Sequence, residues 1–213
     1  MLENEANPCI SKTTRLPRKR FYLARAHINP LSDSHFLVPI SPCHVDYSLH
    51  FPQLFPSSDQ VDNSKKIQFA DIDCGFGGLL ISLSTLFPDT LMFGMELRDK
   101  VTEYAKKQVL ALKITHPEKN HQHCVINPHL LDEYAYVLGV GGIMYTIMDV
   151  EERREWMKAC LEGHPMSEAL TDEELEVDLV VKLLSSATKE GQKVAWNGGL
   201  TFQAVFRRIV LSV

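Results

Sequence analysis

From Ile67 onward the apolar positions change period several times, and each change marks an element. IQFADI (67–72) is a short apolar run with polar flanks, which predicts a strand; GGLLISLSTLF (77–87) predicts a helix. After the turn at Pro88–Asp89, TLMFGM (90–95) predicts a second strand. DKVTEYAKKQVLALK (99–113) then places Val101, Tyr104, Ala105, Val109 and Leu112 at helical spacing. Strand, helix, strand and helix in that order predict an α/β fold with a parallel sheet.

The alternation then stops. Residues 114–127, ITHPEKNHQHCVIN, carry no strand pattern. A helix resumes at HLLDEYAYVL, followed by the turn GVGG, where Gly141 and Gly142 make a tight entry into the strand IMYTIMDV, and by the helix EERREWMKACLEGH. Past the acidic stretch 168–178 come an apolar run, DLVVKLL, a helix-like ATKEGQKVAW, the break NGG and the β-prone end TFQAVFRRIVLSV. Consecutive parallel strands need a crossover unit of roughly 30 residues. The rhythm calls for another strand, helix and strand after Lys113, and only fourteen residues stand there.

Upstream, residues 1–20 are expected to form a flexible basic arm and 21–213 a single domain, with prolines at 30, 39, 42, 52 and 56 predicting irregular structure early in it. No apolar run approaches a membrane span, and the polar N-terminus does not read as a secretory leader. The five cysteines are scattered and never spaced as CxxC, which predicts a reducing nucleus or cytosol and neither a disulfide framework nor a zinc site. HQHC (121–124) lacks a second ligand pair, so no metal is expected there.

Charge adds one feature to this picture. The net charge is -5, yet Lys12, Arg15, Arg18, Lys19, Arg20 and Arg25 form a tract without an acid, and 162–178 has acids without a base. A basic tract of this kind can meet nucleic-acid phosphates, although solvated tails look the same.

The candidate chemistry lies in Asp71-x-x-Cys74-Gly75-x-Gly77-Gly78. Gly75 and Gly77 can take positive φ and let a ligand approach bare backbone, and a helix starting near Gly77 turns unpaired N–H groups toward it. Glu96, about 20 residues on at the end of the second strand, stands where an acidic residue holds ribose hydroxyls. These features predict an adenosyl-type site, with glycine spacing closer to S-adenosylmethionine enzymes than to the G-x-G-x-x-G of NAD-type proteins.

Four blocks carry a family likeness: KRFYLARAHINP (19–30), FADIDCGFGGLLISLSTLFPDTLMFGMELRDKV (69–101), LLDEYAYVLGVGGIMYTIMDV (130–150), and ATKEGQKVAWNGG with FRRI (187–209). Through them the chain resembles the eukaryotic tRNA (guanine-N(7)-)-methyltransferases. The resemblance implies a Rossmann-like, seven-stranded methyltransferase sheet with helices on both faces, S-adenosylmethionine as methyl donor and a variable-loop guanine of tRNA as acceptor. It also implies a WD-repeat non-catalytic subunit as partner, and the nucleus as location with the cytoplasm as alternative. The implied cofactor-side residues are Gly75, Gly77, Glu96, Arg98, Thr188 and Glu190; without the family, Thr188 reads as a helix N-cap and Glu190 as a charge favouring the dipole. Arg18, Lys19, Arg20 and Arg25, interleaved with Phe21 and Tyr22, are the implied tRNA contacts.

The chain departs from the family twice. The family turn reads D-I-G-C-G, whereas here its third residue is Asp73. As a cofactor-side residue, Asp73 would face the cofactor's own carboxylate; at about 4 Å and an effective dielectric of about 20 the repulsion is about 4 kcal/mol. The milder alternative turns Asp73 outward or toward the cofactor's ammonium. Second, the family's strand ending in Phe-Pro-Asp-Pro-His and the Lys/Arg-rich stretch after it are missing. The chain's Pro88–Asp89 matches a different family turn. The catalytic residue is therefore unassigned, and the expected fold lacks a central strand-helix-strand unit. The rival function is a methyltransferase-fold protein that binds tRNA or the WD-repeat subunit without catalysis.

Overall fold

The computed structural model describes residues 16–22, 48, 66–96, 98–111, 117–120 and 128–211. The first strand pattern forms β1 (Phe69–Ile72), and the glycine turn leads into helix α1 (Gly78–Leu86). Strand β2 (Met92–Met95) and helix α2 (Asp99–Ala111) follow. β1 and β2 pair in parallel with Phe69 beside Met92 and Ile72 beside Met95. β2 is the inner strand, and Met92, Phe93 and Gly94 are all buried.

The segment read as strandless contains a strand, which corrects that expectation. β3 (Pro117–Asn120) runs parallel to the other edge of β2, with Met92 beside Pro117. Its residues PEKN have little β-propensity, but an edge strand is held by backbone hydrogen bonds. Proline is tolerated at its first position, where a missing N–H costs least.

The C-terminal half starts with helix α3 (Pro128–Val137), strand β4 (Ile143–Met148) and helix α4 (Glu151–Glu162). Strand β5 (Ser167–Ala169), helix α5 (Asp172–Val177), helix α6 (Leu179–Ala187), helix α7 (Lys189–Trp196) and strand β6 (Phe202–Arg208) complete it. β6 lies between β4 and β5 and pairs antiparallel with both. The apolar run DLVVKLL is thus the start of a helix; Val180 and Leu184, four residues apart, are its buried face. The acidic stretch is also built into the fold. Thr171 and Glu174 form a reciprocal capping box, Glu174 pairs with Arg207 at 2.6 Å, and Asp178 caps α6 through Val180 and Val181.

The implied single seven-stranded sheet is not what the described residues form. They make two three-stranded sheets, β1-β2-β3 and β4-β6-β5. No described strand lies between β1 and β4, and β1 is only half-buried, with Ala70 exposed. Side chains nevertheless join the halves. Leu80 and Leu83 of α1, Met92 of β2, and Val180 and Leu184 of α6 form one buried cluster, flanked by Phe69 of β1 and by Tyr145 and Ile147 of β4. The Tyr145 hydroxyl donates to Asp178 at 2.8 Å, and burial followed by this carboxylate raises its pKa. A second cluster, Leu131, Leu161, Ala204 and Phe206, belongs to the C-terminal half alone.

Candidate cofactor-binding site

β1 ends in a left-handed bend. Asp73, Gly75 and Gly77 have φ of 59°, 53° and 78°, and Asp73 is the only non-glycine residue with positive φ among the described residues. A family glycine at that position has a direct cause: left-handed backbone costs a side chain of L configuration, although aspartate tolerates it better than most. The Cys74 N–H donates to the Met95 carbonyl at 2.9 Å, tying the turn to the end of β2, and the Gly77 N–H closes it onto the Cys74 carbonyl at 2.9 Å.

The turn fits an adenosyl ligand on two counts. Gly77 is the N-cap of α1 and supplies no side-chain cap, so the helix opens toward the turn with bare N–H groups. A Cβ placed on Gly75 would meet nothing within 4 Å, so there is open space above the backbone.

Glu96, one residue past β2, is fully buried, and an ionised carboxylate at that depth needs compensation. Arg98 provides it. Its Nε donates to Oε1 at 2.8 Å, its Nη2 to Oε2 at 2.7 Å, and its backbone N–H also to Oε1 at 2.9 Å. The same Nη2 lies 3.6 Å from Oδ1 of Asp73, whose side chain is 71% exposed. Hydrogen bonding to Glu96 raises the Arg98 pKa first, against burial, with Asp73 a lesser contributor. The structure therefore turns Asp73 outward, toward Arg98.

Thr188 reaches the same neighbourhood by packing. Gly78 sits so close to the Ala187 carbonyl that a Cβ would collide with it, which brings the α6–α7 junction onto the start of α1. There the Thr188 hydroxyl donates to the Leu184 carbonyl at 2.6 Å and accepts from the Gly191 N–H at 3.0 Å. It is the N-cap of α7, as the local sequence by itself suggests. The Glu190 side chain, Arg25 and the HQHC run lie outside the described residues. Among those that are described, no group of three metal-ligating side chains occurs.

The basic tract also reaches the turn, through Phe76. Lys19–Phe21 form a 3-10 turn on which Arg18, Lys19 and Arg20 are exposed. Tyr22 stacks edge-on against Tyr104 at 5.4 Å, Tyr104 against Phe76 at 5.0 Å, and the Lys19 ammonium lies 5.5 Å over the Phe76 ring. Phe76, Gly78 and Tyr104 were not among the predicted site residues. Gly78 had a visible signal as the third glycine of the turn, where close helix packing is the usual cause. The aromatic chain from Tyr22 to Phe76 joins positions far apart in sequence and had none.

A family model described as "Putative methyltransferase" matches residues 65–116 and 115–204. The chain is 58% identical to the tRNA (guanine-N(7)-)-methyltransferase of Arabidopsis thaliana, over 98% of each chain. It is 38% identical to the Bos taurus enzyme of the same name, over 91% of this chain and 88% of that one. A solved SAM-dependent O-methyltransferase from Thermotoga maritima matches more loosely, at 11% identity and a TM-score of 0.48 over 70% of this chain and 62% of that one. The Arabidopsis alignment runs over 251 positions while the chain has 213 residues, so at least 38 positions, 251 less 213, face no residue here. The two segments matched by the family model meet at 115–116, inside the stretch where the strand-helix rhythm stops. On the identity and extent of the matches to the Arabidopsis and Bos taurus enzymes, the chain belongs to the tRNA (guanine-N(7)-)-methyltransferase family.

Proposed function

We propose that this chain is an S-adenosylmethionine-dependent methyltransferase acting on a variable-loop guanine of tRNA, with methyl transfer slowed by loss of an internal segment. The observation that carries the proposal is the left-handed Asp73–Gly77 turn opening onto the uncapped start of α1, with buried Glu96 at the end of the adjacent strand. S-adenosylmethionine supplies a methyl group on a sulfonium. Glu96 would accept ribose hydroxyls, and the α1 N-terminus would face the ligand's carboxylate end. Guanine N-7 attacks with a lone pair and has no proton to lose, so the protein's share of catalysis is in-line positioning and exclusion of water. The exposed Arg18, Lys19 and Arg20, with Lys19 lying over the Phe76 ring, are suited to tRNA phosphates. A WD-repeat subunit and nuclear location belong to the same proposal.

A second function, binding without turnover, is favoured by the division of the described strands into two sheets and by the shortfall of this chain against the 251 positions of its Arabidopsis alignment. Calorimetric titration with S-adenosylmethionine, followed by radiolabelled methyl transfer to a tRNA transcript, separates the two. Binding with slow transfer is expected. Binding with no transfer would establish the second function, and absence of binding would overturn the cofactor assignment.

A further inference from the structure

Glu96 is the carboxylate expected to receive the ribose, and Arg98 already occupies it. Each carboxylate oxygen offers two lone pairs. Oε1 gives both of its own to Arg98, one to the backbone N–H and one to Nε, and Oε2 accepts Nη2. A ribose diol donating one hydrogen bond to each oxygen must therefore displace a bond from Arg98. The Arg98 backbone is held at the start of α2, where Val101 and Thr102 donate to its carbonyl, so the guanidinium is the part that turns, and turning it also gives up the 3.6 Å contact of Nη2 with Asp73.

We propose that Asp73 is a positioning residue that latches the site: by holding the Arg98 guanidinium in place across Glu96, it weakens binding of every ligand that must use the Glu96 carboxylate. The inference rests on the adenosyl-site assignment above and goes beyond it. The backbone fixes where the latch sits, because the left-handed bend at Asp73 directs this residue toward Arg98 rather than into the sheet. The structure thereby replaces repulsion of the cofactor's carboxylate with a different cause. Direct repulsion acts only on ligands carrying an amino-acid carboxylate, whereas the latch acts on the ribose of all of them.

That difference defines the test. Dissociation constants for S-adenosylhomocysteine and for 5′-methylthioadenosine, which lacks the amino-acid carboxylate, would be measured on the full chain and on Asp73→Asn. Asparagine tolerates positive φ and keeps the turn while removing the charge. Both ligands should bind tighter to the variant by a similar factor, about two- to fivefold, the range expected of a largely exposed ion pair. The gain should shrink in salt of about 1 M, where screening acts within a few ångströms. Asp73→Gly should show the same equal gain, which guards against an asparagine-specific effect. A gain confined to S-adenosylhomocysteine would overturn the latch in favour of direct repulsion. No gain, or weaker binding of both ligands, would overturn it outright. Failure of every protein to bind either ligand would remove the adenosyl-site assignment itself, a result distinct from failure of the latch.

Discussion

The antiparallel half of the molecule and the parallel half are built to different degrees of self-sufficiency. In the antiparallel half, β6 is flanked on both sides, Leu131, Leu161, Ala204 and Phe206 form a core from its own elements, and Thr171, Asp178 and Thr188 cap successive helices. The parallel half has two small private clusters, Leu91 with Phe93 and Phe76 with Val101 and Tyr104, and shares its larger core with α6 and β4. The glycine turn and Glu96 thus stand on the half that leans on its neighbour. The two segments matched by the family model meet at 115–116, just before β3 of this half. Ligand binding at the turn is therefore expected to depend on the packing of α1 against α6 and β4.

The largest expected effect concerns catalysis. Grafting the internal segment of the Arabidopsis relative between residues 115 and 116 should raise methyl transfer to tRNA by about a thousandfold or more, the scale of what orientation contributes. Radiolabel incorporation under single-turnover conditions measures it, and an unchanged rate would break the comparison between a complete and an incomplete half.

Two leucines with equal burial sharpen it next. Leu80 and Leu161 are each 1% exposed, one in the shared core and one in the antiparallel core. Either change to alanine should cost about 2–5 kcal/mol in urea unfolding. Only Leu80→Ala should also weaken binding of S-adenosylhomocysteine to the folded protein, because α1 carries the turn. Equal effects on ligand affinity would dissolve the distinction.

Gly78→Ala probes the contact that brings the two halves together at the site. Its Cβ would collide with the rigid Ala187 carbonyl, so a loss of about 1–3 kcal/mol is expected by thermal or urea unfolding. Gly139→Ala, where a Cβ meets nothing within 4 Å, serves as the control and should unfold as the unaltered chain does.

The smallest effects lie at the α5 cap. Thr171→Ala should cost about 1 kcal/mol through loss of the cap. Glu174 has its pKa lowered, first by the Thr171 backbone N–H and then by Arg207. Its stabilising contribution is therefore complete above the ordinary carboxylate range and is lost as pH falls through the lowered folded value. Urea midpoints between pH 3 and 5 should fall less steeply in Glu174→Gln; an unchanged slope would show that the pair contributes nothing.

Much of the arrangement of the candidate site was legible because its signals are local. A strand, a glycine turn, a helix and an acid at the next strand end need only a few dozen consecutive residues to be recognised, and the structure brings Asp73, Gly75, Gly77, Glu96 and Arg98 to one place. β3 was not legible, since PEKN pairs through backbone alone and its partner β2 lies more than twenty residues upstream. β5 was hidden for a related reason: three residues with no apolar alternation are held by Arg207 and Arg208 of β6 through register rather than propensity. The role of the acidic stretch was hidden because the ion pair of Glu174 with Arg207 forms only when α5 and β6 are adjacent.

By itself the sequence determined the succession of β1, α1, β2 and α2, the positive-φ turn before α1, the N-cap at Thr188 and the place where the alternating rhythm ends. All of these depend on residues within a turn or two of one another along the chain. Only the tertiary structure decided that the strands form two sheets, that Gly78 meets Ala187 and so delivers Thr188 to the turn, and that the guanidinium of Arg98 spans both Glu96 and Asp73. Those outcomes depend on which surfaces bury each other and on where a buried charge finds its partner, and neither burial nor charge pairing across the fold is written into any local stretch of the chain.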